Sequence, residues 1–228
     1  MILGKTYIDR SDTMYPSFAF QFDSSEIGDM GYFFTKDLST TYGYIFSGSL
    51  TLPNNKTVSK GEYFSFWSSQ ATEIKYTDCK FSVFIRVGYK GQDTTGGPVE
   101  GKGRLTYIDG CSDSILVYPP RLGDPSINLL HFPPYIKQTY HTHPSIRFGI
   151  VIGGSGYASI NPRINVDGEE EETRYPLQEG VMFCIEEHEL HRFVTEFQTM
   201  TVIAYHPDGD WGPTDHNHSM INRTYLTK

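Results

Sequence analysis

Two histidines that stand one residue apart are the strongest chemical signal in this sequence. His141 and His143 lie in "YHTHPSIRFGIVIGGSGYASI", which runs from Tyr140 to Ile160. On a β-strand, residues i and i+2 point to the same face, so both imidazoles can reach one point inside a barrel. Convergent imidazole nitrogens suit several transition metals. The pair predicts a metal site; two polar residues at a barrel rim are the alternative.

A third histidine for such a site comes from "CIEEHELHRF". His188 and His191 are three residues apart, so they cannot both face inward on one straight strand. His188 stands among acidic residues in a predicted turn, and we expect it to be exposed. His191 begins the strand-like run "HRFVTEF", and we predict it to be the third ligand.

Arg147 is the candidate substrate-binding residue of the same segment. It is an even number of residues from His141 and His143, so an unbroken strand would turn it inward, although Pro144 could bend the chain and spoil that count. A guanidinium offers two parallel hydrogen bonds to a carboxylate. Arg147 is therefore predicted to hold a carboxylate beside the metal; a surface salt bridge at the barrel end is the alternative.

The elements that would position these residues are short strands. Aromatic and β-branched runs such as "EYFSFW", "FSVFIRVGY", "VMFCI" and "MTVIAYH" are broken by Gly, Pro, Asn and Asp, and helix signals are nearly absent. Of the 228 residues, 14% are aromatic, which favours half-buried pleated surfaces. Many short strands with turns between them predict an all-β sandwich or barrel.

The chain also contains an internal repeat. "YGYIFSGSLTL" from Tyr42 aligns position by position with "FGIVIGGSGYA" from Phe148, and each copy continues to a glycine that opens a strand, Gly61 or Gly180. The repeat predicts two similar modules, residues 1–95 and residues 96–208. A C-terminal tail over residues 209–228 follows them. None of the eight histidines lies in the first module. We therefore expect the second module to contain the chemistry.

These features resemble the cupin superfamily. The first cupin motif consists of H-x-H, a short gap, a Glu and a later Gly, and His141, His143 and Gly154 have this spacing. The second motif consists of a Gly, a short strand, a turn and a His. Gly180 and His191 match this second motif. The resemblance implies two tandem cupin-type (jelly-roll) β-barrels and a metal in the second one.

Two departures from the cupin pattern accompany this resemblance. Arg147 stands where the family has a ligand glutamate, which indicates a three-histidine site or another acceptor; Gln138, Glu187 and Glu189 are outside candidates. In the first module, Thr35 and Asp37 stand where the paired histidines would align, and we expect that module to hold no metal.

The predicted cofactor is one divalent transition metal. Fe(II) is expected, and Ni, Mn or Zn also fit imidazole ligands. The segment "HTHPSIRFGIVIGGSG" is similar to one in gentisate- and salicylate-type ring-cleaving dioxygenases, which are also three-histidine bicupins, although their gap is longer and their chains are larger. The resemblance favours a small-molecule dioxygenase. A metal-dependent isomerase or lyase and a non-catalytic ligand-binding protein are the alternatives.

Composition narrows the possible partners. The net charge is −8 and no dense Lys/Arg cluster occurs, so nucleic acid is not expected as a partner. No apolar run is long enough to span a membrane, and the first ten residues lack an apolar signal core. The three cysteines, Cys79, Cys111 and Cys184, form no disulfide framework, which suggests a reducing compartment such as the cytoplasm. Cupin barrels commonly pair through sheet edges, so we expect a homodimer, to which the first ten residues could contribute a strand.

Several further residues have structural interpretations. We expect His131 to be a satisfied core or rim histidine and His206 to be exposed at a strand end. His216 and His218 repeat the H-x-H spacing in a loop-like tail, where exposed histidines are favoured over a second site, and Trp211 could anchor that tail. Cys184 could line the pocket of the second module.

Overall fold

The computed structural model describes residues 1–208 except 5, 25–29, 122, 165, 167 and 169. Trp211, His216 and His218, which the sequence singled out, lie outside the described residues. Among the residues described, no helix is long and apolar enough to cross a membrane.

Strands form nearly all of the regular structure. The first part of the chain contains β1 (Ile2–Gly4), β2 (Tyr7–Arg10), β3 (Ser17–Asp23), β4 (Gly31–Phe34), β5 (Ser39–Thr51), β6 (Thr57–Ser59), β7 (Tyr63–Ser68), β8 (Glu73–Val87) and β9 (Thr94–Gly96). The second contains β10 (Leu105–Thr106), a single 3-10 turn (Ile108–Gly110), β11 (Ser112–Val117), β12 (Ser126–Phe132), β13 (Arg147–Ile164), β14 (Glu170–Gln178), β15 (Met182–Ile185), β16 (His191–Val194) and β17 (Met200–His206). The all-β prediction is confirmed.

The strands form two sheets that divide the chain into its two modules, with one exception. Strands β2 to β9 make an eight-stranded sheet, and β10 to β17 make a nine-stranded sheet together with β1. Strand β1 pairs antiparallel with β15, Ile2 opposite Cys184. The first residues of the chain therefore supply an edge strand to the second module of the same chain. The sequence suggested that these residues could supply a strand for pairing in a dimer.

The repeat is visible in equivalent glycines. Gly43 lies opposite Phe64 and Gly149 lies opposite Phe183, and a Cβ on either glycine would come within 2.2 Å or 2.1 Å of the facing ring. Gly48 and Gly154 both have a positive φ, +72° and +74°, that other residues rarely adopt. The glycine pattern therefore serves the architecture of both modules.

Long bent strands give each module its two faces. In the second module, β13 pairs with β15 and β17 through its first half and with β14 and β16 through its second half, with a register shift near Gly153. Alternation along these strands sends one set of side chains into the interior of the module and the other set toward the neighbouring module.

Three apolar clusters follow from this alternation. One lies inside the first module, where it is dominated by phenylalanines, and one lies inside the second. The third lies between the modules and joins side chains such as Tyr42 and Phe84 of the first to Phe148 and Tyr205 of the second. Phe84 stacks on Phe148 and Tyr205 with ring centroids 6.0 and 5.4 Å apart. The two modules thus share one continuous packed face.

Candidate metal centre

His141 and His191 are brought together by their backbones. They form an isolated antiparallel bridge, in which the His141 N–H donates to the His191 carbonyl at 2.9 Å and the His191 N–H donates to the His141 carbonyl at 3.0 Å. Directly opposed residues of such a pair point to the same face. Their ring centroids are consequently only 4.4 Å apart.

His143 joins this pair from two residues along the chain. Its ring centroid is 5.1 Å from that of His141 and 5.1 Å from that of His191. Its carbonyl accepts a hydrogen bond from the His188 N–H at 2.8 Å, which ties it to the loop before His191. One nitrogen from each of the three imidazoles lies within 4.8 Å of the other two. The structure therefore brings together the three histidines that the spacing singled out.

Hydrogen bonds to carbonyl groups set the tautomers of two of these rings. His141 Nδ1 is 2.9 Å from the Thr139 carbonyl oxygen, and His191 Nδ1 is 2.8 Å from the Glu189 carbonyl oxygen. A carbonyl can only accept, so each Nδ1 must carry the proton and donate it. The Nε2 lone pair of each ring remains for a metal, an arrangement usual for metal-binding histidines. The donor set fits a divalent transition metal.

Burial keeps two of the three imidazoles neutral. It is the largest cause that lowers the pKa of His143 to about 2, and the nearby Arg147 guanidinium lowers it further. Burial likewise lowers the pKa of His191 to about 4. Neutral imidazole is the form that binds a metal, so these two side chains need not lose a proton near pH 7.

The loop between β15 and β16 positions His191 and is held from the first part of the chain. Arg10 of β2 forms an ion pair with Glu186, and the Met1 amino group forms one with Glu189. Glu189 also accepts a hydrogen bond from the Glu186 N–H at 3.0 Å. His188, at the tip with a φ of 57°, is exposed as the sequence predicted.

The three suggested additional ligands have other surroundings. Gln138 is buried outside the histidine group, where its Oε1 accepts from the Phe193 N–H at 3.2 Å. The Glu189 carboxylate is engaged by the loop contacts just described. Glu187 is exposed beside His188, 3.6 Å from its Nε2. None of the three belongs to the described histidine group.

Arg147 is buried in the wall of the same cavity. It begins β13 opposite Ile185, is 4% exposed, and lines a cavity of about 50 Å³ together with the three histidines. Its Nη1 donates to the Ser145 and Ile146 carbonyl oxygens and the Ser145 hydroxyl, and pairs with Asp208 Oδ1 at 3.2 Å. Arg147 faces the cavity despite Pro144, as its even spacing from His141 and His143 predicted. The Arg147–Asp208 ion pair is buried, so it is not the surface salt bridge at the barrel end that was the alternative interpretation of Arg147.

His206 is the residue whose position the sequence interpretation had wrong. It is partly buried and lines the cavity, because it follows Val202 and Ala204 on the inward face of β17. Burial, and after it the charge of Arg147, lowers its pKa to about 3. Alternation along "MTVIAYH" could have found it, but the turn that follows suggested an exposed strand end.

A second missed residue of this cavity is acidic. Asp113 of β11 lines the cavity, and its strand parity was readable in "SDSILV". No motif drew attention to it, since a lone aspartate near a strand start is usually exposed.

Other predicted residues lie apart from the histidine group. His131 is half-buried with Nδ1 3.4 Å from the Thr201 hydroxyl, as expected for a satisfied rim histidine. Cys184 does not line the cavity; it is fully buried in the cluster between the modules, because its strand parity is opposite to that of Phe183 and Ile185.

The first module keeps the backbone of the site without its histidines. Thr35 and Thr72 form a related pair, in which the Thr35 N–H donates to the Thr72 carbonyl at 3.1 Å but the Thr72 N–H donates at 2.9 Å to the Thr35 hydroxyl, where the histidine pair uses a carbonyl. Asp37, at the position of His143, accepts from the Ala71 N–H. Equivalent positions therefore serve local hydrogen bonding here.

Comparison with known proteins identifies the fold through structure alone. No protein-family model matches the sequence, and no curated protein matches it significantly. The structure is similar to that of a cupin 2 conserved barrel domain protein from Leptotrichia buccalis, with a TM-score of 0.56 and 15% identity over 88% of this chain and 87% of that one. It is also similar to oxalate decarboxylase from Bacillus subtilis, with a TM-score of 0.51 and 12% identity over 92% of this chain and 77% of that one.

These likenesses confirm the cupin-type fold that the sequence motifs predicted. They span both modules of the chain, in keeping with a tandem arrangement. At such identities they establish the fold and no activity, so the function has to be argued from the side chains of the cavity.

Proposed function

We propose that this tandem cupin-fold protein is a metal-dependent enzyme, a dioxygenase that binds one divalent transition metal, Fe(II), through His141, His143 and His191. The observation that carries the proposal is the convergence of three imidazoles, two of them with Nε2 freed by a carbonyl on Nδ1. Three neutral protein ligands leave coordination positions open, and the bound metal would supply Lewis acidity and a binding position for oxygen there.

Arg147 supports an acidic small molecule as the substrate. Its guanidinium is held in the cavity wall by Nη1 contacts to Ser145, Ile146 and Asp208, so its orientation is fixed before a ligand enters. A fixed guanidinium binds a carboxylate with little loss of side-chain entropy. The cavity of about 50 Å³ is small, which favours a compact acid, and apolar side chains such as Phe183 and Phe193 complete its lining beside the polar groups.

Metal analysis tests the shared premise of the proposal. We expect about one transition metal per chain in protein purified without chelators, and loss of most of it in His143→Ala, because two remaining imidazoles hold an ion much more weakly. His188→Ala is the matched control, since His188 is exposed on the neighbouring loop. Equal metal content in wild type and His143→Ala would contradict a site at these histidines.

Oxygen consumption tests the reaction class. Anaerobically iron-loaded protein should consume oxygen with at least one member of a panel of hydroxy acids and diketones, and Arg147→Gln should raise KM more than it lowers kcat if the guanidinium only binds the carboxylate. No oxygen uptake with any acid, in protein shown to contain iron, would count against a dioxygenase.

A metal-dependent lyase or isomerase is the second candidate. It is favoured by the fold likeness to oxalate decarboxylase, a protein named for decarboxylation of a small acid. Turnover that needs no oxygen and that a chelator abolishes would select this class, with Ni, Mn or Zn as possible metals. If His141→Ala left the affinity for acids unchanged and no turnover occurred, a non-catalytic binding protein would be the better description.

A further inference from the structure

Asp113 is the single carboxylate among the described residues that line the cavity of the three histidines. It lies on β11 opposite Leu130 of β12, and Leu130 in turn lies opposite Val202 of β17. Directly opposed residues share a face, so Asp113 belongs to the inward-facing row of the second module. It is not part of the histidine group itself.

The Asp113 carboxylate is held in place by one neighbouring amide. Asn128 Nδ2 donates to Asp113 Oδ1 at 3.1 Å and to Oδ2 at 2.9 Å. Asn128 is 5% exposed, and its Oδ1 accepts a hydrogen bond from the Ser126 hydroxyl at 3.3 Å. The amide is thereby fixed at both ends, and it orients the carboxylate without using all of its acceptor positions, since a carboxylate has about four.

No cation pairs with Asp113 in the part of the chain that the structure describes, where the Asn128 amide is its one hydrogen-bond donor. Burial raises the pKa of this carboxyl, and the Asn128 hydrogen bond lowers it in part. A partly desolvated carboxylate without a cation is costly to keep in a protein interior. Such a group in a cavity is a candidate for ligand recognition.

We propose that Asp113 accepts a hydrogen bond from a hydroxyl group of the ligand, so that the substrate class is a hydroxycarboxylic acid. The inference rests on the proposed function for the place of the acid group, which Arg147 would hold. A hydroxyl suits the cavity better than an ammonium group, because the charge of Arg147 is paired with Asp208 and a divalent metal at the three neutral histidines would leave the cavity positive. Asp113 would then determine specificity by rejecting acids that leave its carboxylate without a donor.

Matched pairs of acids test this assignment. Binding of lactate and propionate, 3-hydroxybutyrate and butyrate, and salicylate and benzoate would be measured by calorimetry on the full chain. We expect wild type to favour the hydroxylated member of at least one pair by about 10- to 100-fold, the range for a hydrogen bond to a charged acceptor. Asp113→Asn keeps only a neutral acceptor oxygen and should reduce that ratio at least about threefold, with little change in the affinity for the parent acid.

Two further variants keep the test decisive. Asp113→Leu, which removes the acceptor and the charge, should abolish the same preference, and its thermal unfolding shows whether the module is still folded. Asp93→Asn in the first module is the matched control, because it makes the same change at an exposed residue outside the cavity, where Asp93 accepts from the Trp67 N–H and from Asn54 Nδ2. Equal affinities within every pair in wild type, or a preference that both Asp113 variants retain, would overturn the assignment.

The two proposals fail in different ways in this experiment. Titrations on metal-loaded and on chelator-treated protein separate them, because Asp113 is outside the histidine group. Absence of bound metal refutes the metal-dependent function, whereas a hydroxyl preference insensitive to Asp113 refutes only the present inference.

Discussion

His206 shows how much a single side chain can add to a cavity without belonging to a motif. It sits on the inward face of β17 near Arg147, and it belongs to no metal-binding motif. Together with Asp113 they give the cavity a cation, an anion and a neutral imidazole beside the three histidines. The recognition chemistry of this cavity is therefore richer than its metal ligands alone.

The low pKa of His206 predicts an acid-sensitive fold. An unfolded chain binds the His206 proton with a pKa near 6.5, and the folded chain with a pKa of about 3. Between these values the unfolded state binds more protons, so the free energy of unfolding is complete above pH 6.5 and falls as the pH drops toward 3. In metal-free protein, His206→Gln should reduce this fall by up to about 1.4 kcal/mol per pH unit.

Urea denaturation at pH 7 and pH 5 measures the slope. His188→Gln is the control, since His188 is exposed and its removal should leave the slope unchanged. If His206→Gln and wild type lost the same stability between the two pH values, His206 would not be buried neutral in solution.

At the scale of elements, sequence reasoning succeeded where alternation and spacing act locally. The H-x-H parity, the exposed turn at His188 and the inward direction of Arg147 all follow from period-two geometry over a few residues. The direction of Cys184 needed the identity of the neighbouring sheet as well, because either face of a buried strand can be the cavity face. The sequence pattern alone does not say which face that is.

In each module a glycine lies against a phenylalanine ring, and we predict that a larger residue at this glycine destabilises the fold. Gly149→Ala would place a Cβ 2.1 Å from the Phe183 ring, which must move in a packed cluster, and we expect a loss of about 1–3 kcal/mol in the free energy of unfolding. Gly153→Ala on the same strand meets nothing within 4 Å and should cost much less. Chemical denaturation compares the two, and equal costs would show that Phe183 can be displaced freely.

For the whole molecule, the packed face between the modules predicts cooperative unfolding. Phe84 of the first module stacks on Phe148 and Tyr205 of the second, so Phe84→Ala should cost about 3–5 kcal/mol and destabilise both modules. We expect the tyrosine near-ultraviolet signal and the absorbance of cobalt at the histidine group to be lost in one transition.

Phe34→Ala provides the control for that experiment, because Phe34 is 58% exposed on β4. Two separate transitions, with the cobalt signal unaffected by Phe84→Ala, would mean that the modules unfold independently. The sequence repeat predicted two modules, but it could not predict this shared face, because the apolar residues of an interface and those of a barrel interior have the same pattern.

The pairing of β1 with β15 has a consequence for biosynthesis. Ile2–Gly4 is made before strands β2 to β9 of the first module, yet its partner strand Met182–Ile185 is made only near the end of the second. At ribosomal rates of about 5–20 residues per second, the strand waits on the order of 10 to 40 seconds for its partner. Its three residues cannot form a sheet alone, so they remain accessible to chaperones and proteases during that time. Strand β1 is thus synthesised long before its partner and is among the last to find its place.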